Sequence, residues 1–187
     1  MMNKAIFIDR DGTINKDSGY THKLEDLEFE DNAIEGLKLI KEKLPFYKII
    51  IITNQAGIAK GHYDENAFHS FMDHLLEVLE RKGIGIEDYY FCPHHEKGLG
   101  DYKKACDCRK PNPGMILKAI KDHDIDTSKS YMIGDKWADV KAGDNAELRS
   151  ILVMTGDKGN DIENKVESAF IAKDLKDAIE YVVRDKN

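Results

Sequence analysis

Short apolar runs recur along the chain, and polar residues close each of them. Because these runs are brief and rich in β-branched or aromatic residues, they predict buried β-strands. They cover residues 5–8, 48–52, 89–91, 131–133 and 150–153. Other segments carry apolar residues every three or four positions, which predicts amphipathic helices. The predicted helices cover residues 33–40, 68–79, 113–123, 138–146 and 175–183, and the polar residues 15–31 predict a long loop or small flap.

The order of these segments predicts the fold class. Strands and helices alternate throughout, which implies an α/β fold with a mostly parallel sheet and helices on both of its faces. Ligands of such sheets bind at the carboxyl ends of the strands. The polar motifs described below all directly follow predicted apolar strands, so we expect the functional site along that edge.

Composition narrows the class of protein. The 187 residues suit a single domain, 1–187, with a substantial core, since 41% of them are hydrophobic. The formal net charge is −7 and the Lys and Arg residues are scattered among acids, which disfavours nucleic-acid binding because phosphate backbones require clustered cations. No apolar leader opens the chain and no apolar run approaches the about 20 residues of a membrane helix. We therefore expect a cytoplasmic monomer that binds neither membranes nor nucleic acid.

Two acids follow the first predicted strand, in Asp9-Arg10-Asp11-Gly12-Thr13. Where the strand gives way to a turn, the carboxylates of Asp9 and Asp11 can face the same place. Such a pair suits Mg²⁺, which prefers oxygen ligands. One carboxylate can attack phosphorus to give an aspartyl-phosphate, and the other can protonate the leaving oxygen and then activate water. Taken alone, the pair is equally compatible with an acidic turn that pivots on Gly12.

Three further motifs shift that balance. Thr53, in Thr53-Asn54-Gln55, can donate a hydroxyl to a phosphoryl oxygen, although this segment also suits a helix cap. Lys110 offers a cation to neutralise phosphoryl charge. Asp135 can complete the metal site, and Asp139 can orient Lys110. Each motif is weak alone, but the four in order near strand ends predict a magnesium-dependent phosphatase that works by positioning and charge neutralisation.

A loop rich in Cys and His separates the third strand from the next helix. Cys92-Pro93-His94-His95 and Cys106-Asp107-Cys108 bracket it, with eleven residues between His94 and Cys106. Three thiolates and one imidazole form the closed set of a structural zinc site, and reduced cysteines favour metal ligation over disulfides. Alternation of side chains along an extended backbone favours His94 over the adjacent His95. We expect Zn²⁺ to hold this loop, about residues 92–108, and thereby to fix Lys110.

These residues resemble the haloacid dehalogenase superfamily of phosphatases. The matching positions are Asp9-x-Asp11-Gly12-Thr13, Thr53, Lys110 and Gly134-Asp135 with Asp139. The resemblance implies a Rossmann-like α/β fold, and we expect no large cap domain. It also implies that Asp9 is the nucleophile and Asp11 the general acid and base, with Thr53 and Lys110 stabilising the phosphoryl group. By the same resemblance, Mg²⁺ is held by Asp9, the backbone carbonyl of Asp11, and Asp135.

A larger set of motifs resembles one branch, the D-glycero-D-manno-heptose-1,7-bisphosphate 7-phosphatases. These motifs are residues 7–15, Gly19-Tyr20, residues 53–61, Cys92 to His95 and Cys106 to Pro111. The resemblance covers residues 5 to about 156 and implies a small phosphorylated sugar as substrate, on the route to nucleotide-activated heptose for lipopolysaccharide. It implies substrate contacts at Asp17, Ser18, Gly19, Tyr20, Asn54, Gln55, Ala56, Arg109 and Lys136.

Three alternative functions stay open at this point. The histidinol-phosphatase branch shares the first motif and a similar zinc loop, whereas Arg109, as a bidentate clamp on a second phosphate, favours a bisphosphate. A non-catalytic zinc-bearing domain would have lost an acid or Lys110, and none is missing. A phosphatase that acts on nucleic-acid ends would require a basic groove, which the dispersed charges do not supply.

Overall fold

A computed structural model describes residues 2–161 and 170–185. Its strands are β1 (Lys4–Ile8), β2 (Tyr47–Asn54), β3 (Asp88–Cys92), β4 (Tyr131–Gly134), β5 (Arg149–Val153) and β6 (Phe170–Ala172). They form one sheet in the order β3-β2-β1-β4-β5-β6, and every neighbouring pair is parallel. The predicted α/β class, with its parallel sheet, is confirmed.

Helices cover both faces of this sheet. They are α1 (Ala33–Lys43), α2 (Ala56–Ala59), α3 (Glu65–Arg81), α4 (Gly114–His123), α5 (Trp137–Asn145) and α6 (Leu175–Asp185). Helices α1, α3 and α6 bury their apolar sides against one face, and α4 and α5 pack against the other. Within the described residues, no helix combines the length and apolar character needed to cross a membrane.

The central strand explains why the apolar runs are continuous. In β1, Ile6 and Ile8 belong to the core on one face of the sheet, whereas Ala5 and Phe7 belong to the core on the other face. All four side chains are fully buried. A strand covered on both sides cannot alternate between apolar and polar residues. After Lys4 at its start, the next polar side chain therefore comes at the carboxyl end of the strand, where Asp9 follows.

One short α-helix and one short strand were not predicted. Helix α2 has only four residues and β6 only three, lengths at which hydrophobic periodicity carries little information. The segment 15–31 is largely irregular, as predicted: it holds a single turn of 3₁₀-helix at Leu24–Asp26 and isolated bridges at Asn15.

Candidate active site

The carboxyl ends of the central strands bring a buried lysine against two acids. Asp9 directly follows β1, Asp139 lies in the first turn of α5, and Lys110 comes from the loop before α4. The Nζ atom of Lys110 lies 2.7 Å from Asp9 Oδ1 and 2.6 Å from Asp139 Oδ1. It also donates to the backbone carbonyl of Ile52, at 2.7 Å. All three charged side chains are buried, so the lysine is fixed by contacts on several sides.

A third acid, Asp135, belongs to the same cluster. Asp9, Asp135 and Asp139 each offer a carboxylate oxygen within 4.8 Å of the others. Burial, together with the charges of Asp9 and Asp139, raises the pKa of Asp135 to about 9. Burial and Asp9 also raise the pKa of Asp139 to about 6, against the opposing effect of Lys110. Three acids so close together cannot all ionise without a further cation.

Burial lowers the pKa of Lys110, but the charges of Asp139 and Asp9 outweigh it, and the net shift is upward. Lys110 therefore keeps its positive charge inside the protein. Lys110 alone would not balance the three acids if all of them were ionised. A second lysine, Lys136, has its Nζ 3.9 Å from Asp135 Oδ2.

The donor set fits Mg²⁺. Asp135 Oδ1 is buried and has no hydrogen-bond partner among the residues that the structure describes, and buried polar atoms normally have one. Carboxylate oxygens are the ligands that Mg²⁺ prefers. A divalent cation beside Asp9 and Asp135 would satisfy this oxygen and offset the surplus charge.

Asp11 lies on the wall of the same site but outside the acidic cluster. Its carboxylate accepts hydrogen bonds from Arg10 Nη2 at 2.7 Å, Asn15 Nδ2 at 3.0 Å and Gln55 Nε2 at 2.9 Å. Arg10 is almost fully buried, and its guanidinium lies 4.7 Å from the centre of the Phe71 ring of α3. The acid is thus held by a cation that is itself packed into the core.

Gln55 connects Asp11 to the residue predicted to bind phosphate. The same Nε2 atom that donates to Asp11 also donates to Thr53 Oγ1, at 2.7 Å. On the other side of the amide, the hydroxyl of Tyr63 donates to Gln55 Oε1. The Tyr63 ring stacks on His22 with 4.5 Å between ring centres. This chain of contacts fixes which way the Gln55 amide faces.

A cavity of about 210 Å³ opens over the site. Most of the predicted catalytic and substrate residues line it, namely Asp9, Asp11, Asp17, Tyr20, Asn54, Gln55, Ala56, Arg109, Lys110, Lys136 and Asp139. Four predicted residues are absent from this lining. Thr53 is buried beneath Gln55, Ser18 and Gly19 lie in the flap turn, and Asp135 lines a neighbouring cavity.

The rim of the cavity carries two cations. Lys60 Nζ donates to the hydroxyl of Tyr20 at 2.7 Å, and the Tyr20 ring stacks on His62 with 4.3 Å between centres. Arg109 contacts the carbonyl of His94 at 3.4 Å. Within residues 2–161 and 170–185, neither Lys60 nor Arg109 forms an ion pair with a carboxylate. Both cations are therefore available to an anionic ligand.

The Cys and His loop gathers its four predicted ligands. Cys108 Sγ lies 3.1 Å from the sulfurs of Cys92 and Cys106, and His94 Nδ1 lies 3.3 Å from Cys108 Sγ. Bonds of about 2.3 Å from zinc to sulfur give tetrahedral edges of roughly 3.8 Å. The sulfurs here lie 3.1–3.5 Å apart, closer than that edge, and the four donors gather within reach of a single ion. His95 lies outside the group, and its Nδ1 accepts instead from the backbone N–H of Lys97.

Sequence reasoning missed several residues of the site. Arg10, Asn15, Lys60 and Tyr63 were given no role, although each contacts a predicted residue. Arg10 stands between two acids in the sequence, and that position was the only feature of the sequence that pointed to a role for it. The loop that follows β5 was also missed, and its glycines were the available clue.

The fold is that of the HAD-like hydrolases. A family model described as HAD-hydrolase-like matches residues 107–178. The crystal structure of a D,D-heptose 1,7-bisphosphate phosphatase from B. bronchiseptica, complexed with magnesium and phosphate, superposes with a TM-score of 0.86 at 24% identity. The match covers 97% of this chain and 99% of that one.

Two curated relatives narrow the assignment. The D-glycero-beta-D-manno-heptose-1,7-bisphosphate 7-phosphatase of Pasteurella multocida is 41% identical over 177 residues, which cover 94% of this chain and 95% of that protein. The D-glycero-alpha-D-manno-heptose-1,7-bisphosphate 7-phosphatase of Photorhabdus laumondii is 43% identical over 174 residues, 92% of each chain. The chain therefore belongs to the heptose-1,7-bisphosphate 7-phosphatase family of HAD-like hydrolases. The resemblance drawn from the motifs is confirmed.

Proposed function

We propose that this protein hydrolyses the 7-phosphate of D-glycero-D-manno-heptose 1,7-bisphosphate, with Asp9 as the nucleophile. The names of the relatives supply the substrate class. The observation that carries the proposal is the position of Lys110, whose Nζ bridges Asp9 and Asp139 at one cavity. The same cavity has Lys60 and Arg109 at its rim. A bisphosphate requires cations at both places.

The proposed Mg²⁺ ligands are Asp9, Asp135 and the backbone carbonyl of Asp11. Bound Mg²⁺ would neutralise charge on the phosphoryl group during transfer. Asp139 is better suited to positioning than to ligation, because both of its oxygens have partners. Its Oδ1 faces Lys110, and its Oδ2 accepts from the backbone N–H of Lys136 at 3.0 Å.

The remaining steps of phosphoryl transfer are assigned to individual side chains. Lys110 contacts one oxygen of Asp9, which leaves the other to attack phosphorus as the bond to the sugar oxygen breaks. Thr53 Oγ1 accepts from Gln55, and we assign its own proton to a phosphoryl oxygen at the floor of the site, since Thr53 is buried and does not line the cavity. Asp11 protonates the departing sugar oxygen and then takes a proton from the water that hydrolyses the aspartyl-phosphate.

The retained 1-phosphate is assigned to the rim. Arg109 and Lys60 line the cavity without a carboxylate partner of their own among the described residues. A guanidinium can bind phosphate through two parallel hydrogen bonds. Arg109 therefore favours a substrate with two phosphates over one with a single phosphate.

We assign a structural Zn²⁺ to Cys92, His94, Cys106 and Cys108. Four protein donors would leave no open position for water, so the ion would hold the loop and take no part in hydrolysis. Cys108 is two residues before Lys110, and the ion would thus restrain the lysine. Reduced thiols also suit a cytoplasmic location.

Histidinol phosphate is the second candidate substrate, supported by the shared first motif and the Cys and His loop. Phosphate release should be measured with both anomers of the heptose bisphosphate, histidinol phosphate and a nucleotide panel, with and without Mg²⁺. We expect Mg²⁺-dependent release that is fastest with a heptose bisphosphate and abolished by Asp9→Asn. Faster release from histidinol phosphate would overturn the substrate assignment, and a fully active Asp9→Asn variant would overturn the nucleophile.

A further inference from the structure

The carboxylate of Asp135 is enclosed by two glycines from distant parts of the chain. A Cβ built on Gly12 would lie 2.3 Å from Asp135 Oδ2, and one built on Gly156 would lie at the same distance from the same atom. Both glycines have positive φ values, +84° and +49°. A real Cβ cannot come so close to an oxygen, and the neighbour here is a buried acid with little room to move. Gly156 is therefore required where the loop after β5 passes Asp135.

Residues 155–159 of this loop also bind Asp135 and its surroundings directly. The backbone N–H of Asp157 donates to Asp135 Oδ2 at 2.7 Å, and the N–H of Gly159 donates to the Asp135 carbonyl at 2.8 Å. Thr155 Oγ1 donates to the carbonyl of Gly12 at 2.7 Å. These contacts join the loop to the turn after β1 and to the end of β4 at once.

The loop is anchored beyond these contacts as well. The carboxylate of Asp161 accepts from the backbone N–H groups of Trp137 and Ala138, at 2.7 and 3.0 Å. These N–H groups belong to the first turn of α5, where backbone donors lack partners inside the helix. The segment is thus tied on one side to β5 and on the other to α5, with Asp135 between them.

The two oxygens of Asp135 are consequently unequal. Oδ2 is held by the Asp157 N–H between the two glycines, whereas buried Oδ1 has no hydrogen-bond partner among the described residues. We infer that residues 155–159 form a positioning element, which holds Oδ2 so that Oδ1 is presented to the divalent cation. This inference rests on the proposed function, because it assumes that the acidic cluster binds Mg²⁺. Asp157 and Gly156 act through Asp135 and are not themselves ligands.

The test is Mg²⁺ affinity in the absence of substrate. We expect Gly156→Ala to raise the dissociation constant for Mg²⁺, measured by isothermal titration calorimetry, by about 10- to 100-fold, the usual cost of losing support for a metal ligand. Gly83→Ala is the matched control. Gly83 also has a positive φ, +76°, but its Cβ would meet only Lys41 Nζ at 3.9 Å. This control should be strained by a similar amount and keep the wild-type affinity.

An unchanged Mg²⁺ affinity in a folded Gly156→Ala variant would overturn the inference. If that variant does not fold, Thr155→Val carries the test, since it removes the hydrogen bond to Gly12 and keeps the side-chain volume. We expect it to weaken Mg²⁺ binding several-fold, and wild-type affinity would again overturn the inference. Wild-type protein that binds no Mg²⁺ would instead refute the proposed function, so the two failures are distinguishable.

Discussion

The side-chain nitrogen of Gln55 donates to both Asp11 Oδ2, at 2.9 Å, and Thr53 Oγ1, at 2.7 Å. One amide therefore sets the relative position of the proposed general acid and of a proposed phosphate ligand. The amide must face the right way, because its oxygen would repel the Asp11 carboxylate. Tyr63 enforces this orientation by donating its hydroxyl to Gln55 Oε1.

Tyr63→Phe should therefore lower kcat by about tenfold, with a smaller change in KM. The variant keeps the ring that stacks on His22 but leaves the buried Gln55 carbonyl unpaired, a loss of order 1–3 kcal/mol. Steady-state kinetics would test this. Tyr102→Phe is the control, since it removes a hydroxyl that donates to Glu65 at 3.1 Å outside the cavity lining. An equal loss of kcat in both variants would contradict a positioning role for Tyr63.

The acidic cluster makes the metal-free protein sensitive to pH. The folded-state pKa of Asp135 is about 9, against an ordinary value of 3.8. Its ionisation is thus disfavoured in the fold, and stability is lost as pH rises from about 4 through about 9. We expect the Tm of metal-free protein to fall across this range, and Mg²⁺ to restore more stability at pH 8 than at pH 5.

Asp135→Asn provides the comparison for this pH effect. The amide does not ionise, so the variant should show a shallower decline of Tm with pH and a smaller response to Mg²⁺. Differential scanning calorimetry at several pH values, with and without Mg²⁺, measures both quantities. A pH slope that is the same in wild type and variant would show that another group causes the decline.

The zinc assignment predicts different outcomes for two adjacent histidines. His94→Ala should lose zinc because its Nδ1 lies 3.3 Å from Cys108 Sγ, whereas His95→Ala should retain it. Cys106→Ser should also lose zinc, and should both raise KM and lower kcat as the loop before Lys110 loosens. Elemental analysis of the purified variants gives the zinc content directly. Full zinc content in His94→Ala would refute this ligand set.

Arg109→Ala should discriminate between substrates. If Arg109 binds the retained phosphate, KM for a heptose bisphosphate should rise by about tenfold in the variant, since a charge-assisted hydrogen bond is worth about 1.5–3 kcal/mol. KM for a monophosphate should rise by less than about twofold. Arg81→Ala is a suitable control because Arg81 pairs with Glu77 on the surface of α3. Equal losses with the two substrates would exclude Arg109 as the distal contact.

The strand ends explain how much of the site could be predicted. A short apolar run that is buried on both faces identifies its strand, and the first polar residue after it must lie at the ligand-binding edge. Asp9 and Asp135 follow β1 and β4, which are neighbours in the sheet, and their proximity follows from that pairing. The catalytic and metal-binding roles of these acids stay predictions.

Contacts that depend on how loops and short helices fold back could not be predicted in this way. The hydroxyl of Tyr63 reaches Gln55 only because α2 turns the chain back on itself, and a four-residue helix leaves no periodic signal. Gly156 shows the same limit, since its proximity to Asp135 depends on the pairing of β4 with β5. A glycine in a polar loop has many ordinary explanations, and the steric one becomes visible only in three dimensions.

The burial of Arg10 gives α3 an influence beyond its own packing. The guanidinium donates to Asp11 while lying against Phe71 and, at 5.7 Å from its ring centre, Phe68. Helix α3, none of whose residues line the cavity, thereby contributes to the electrostatic surroundings of the proposed general acid. Repacking α3 to make the protein more thermostable would therefore change the rate of leaving-group departure. Naturally occurring variation at Phe68 and Phe71 would alter turnover without altering substrate contacts.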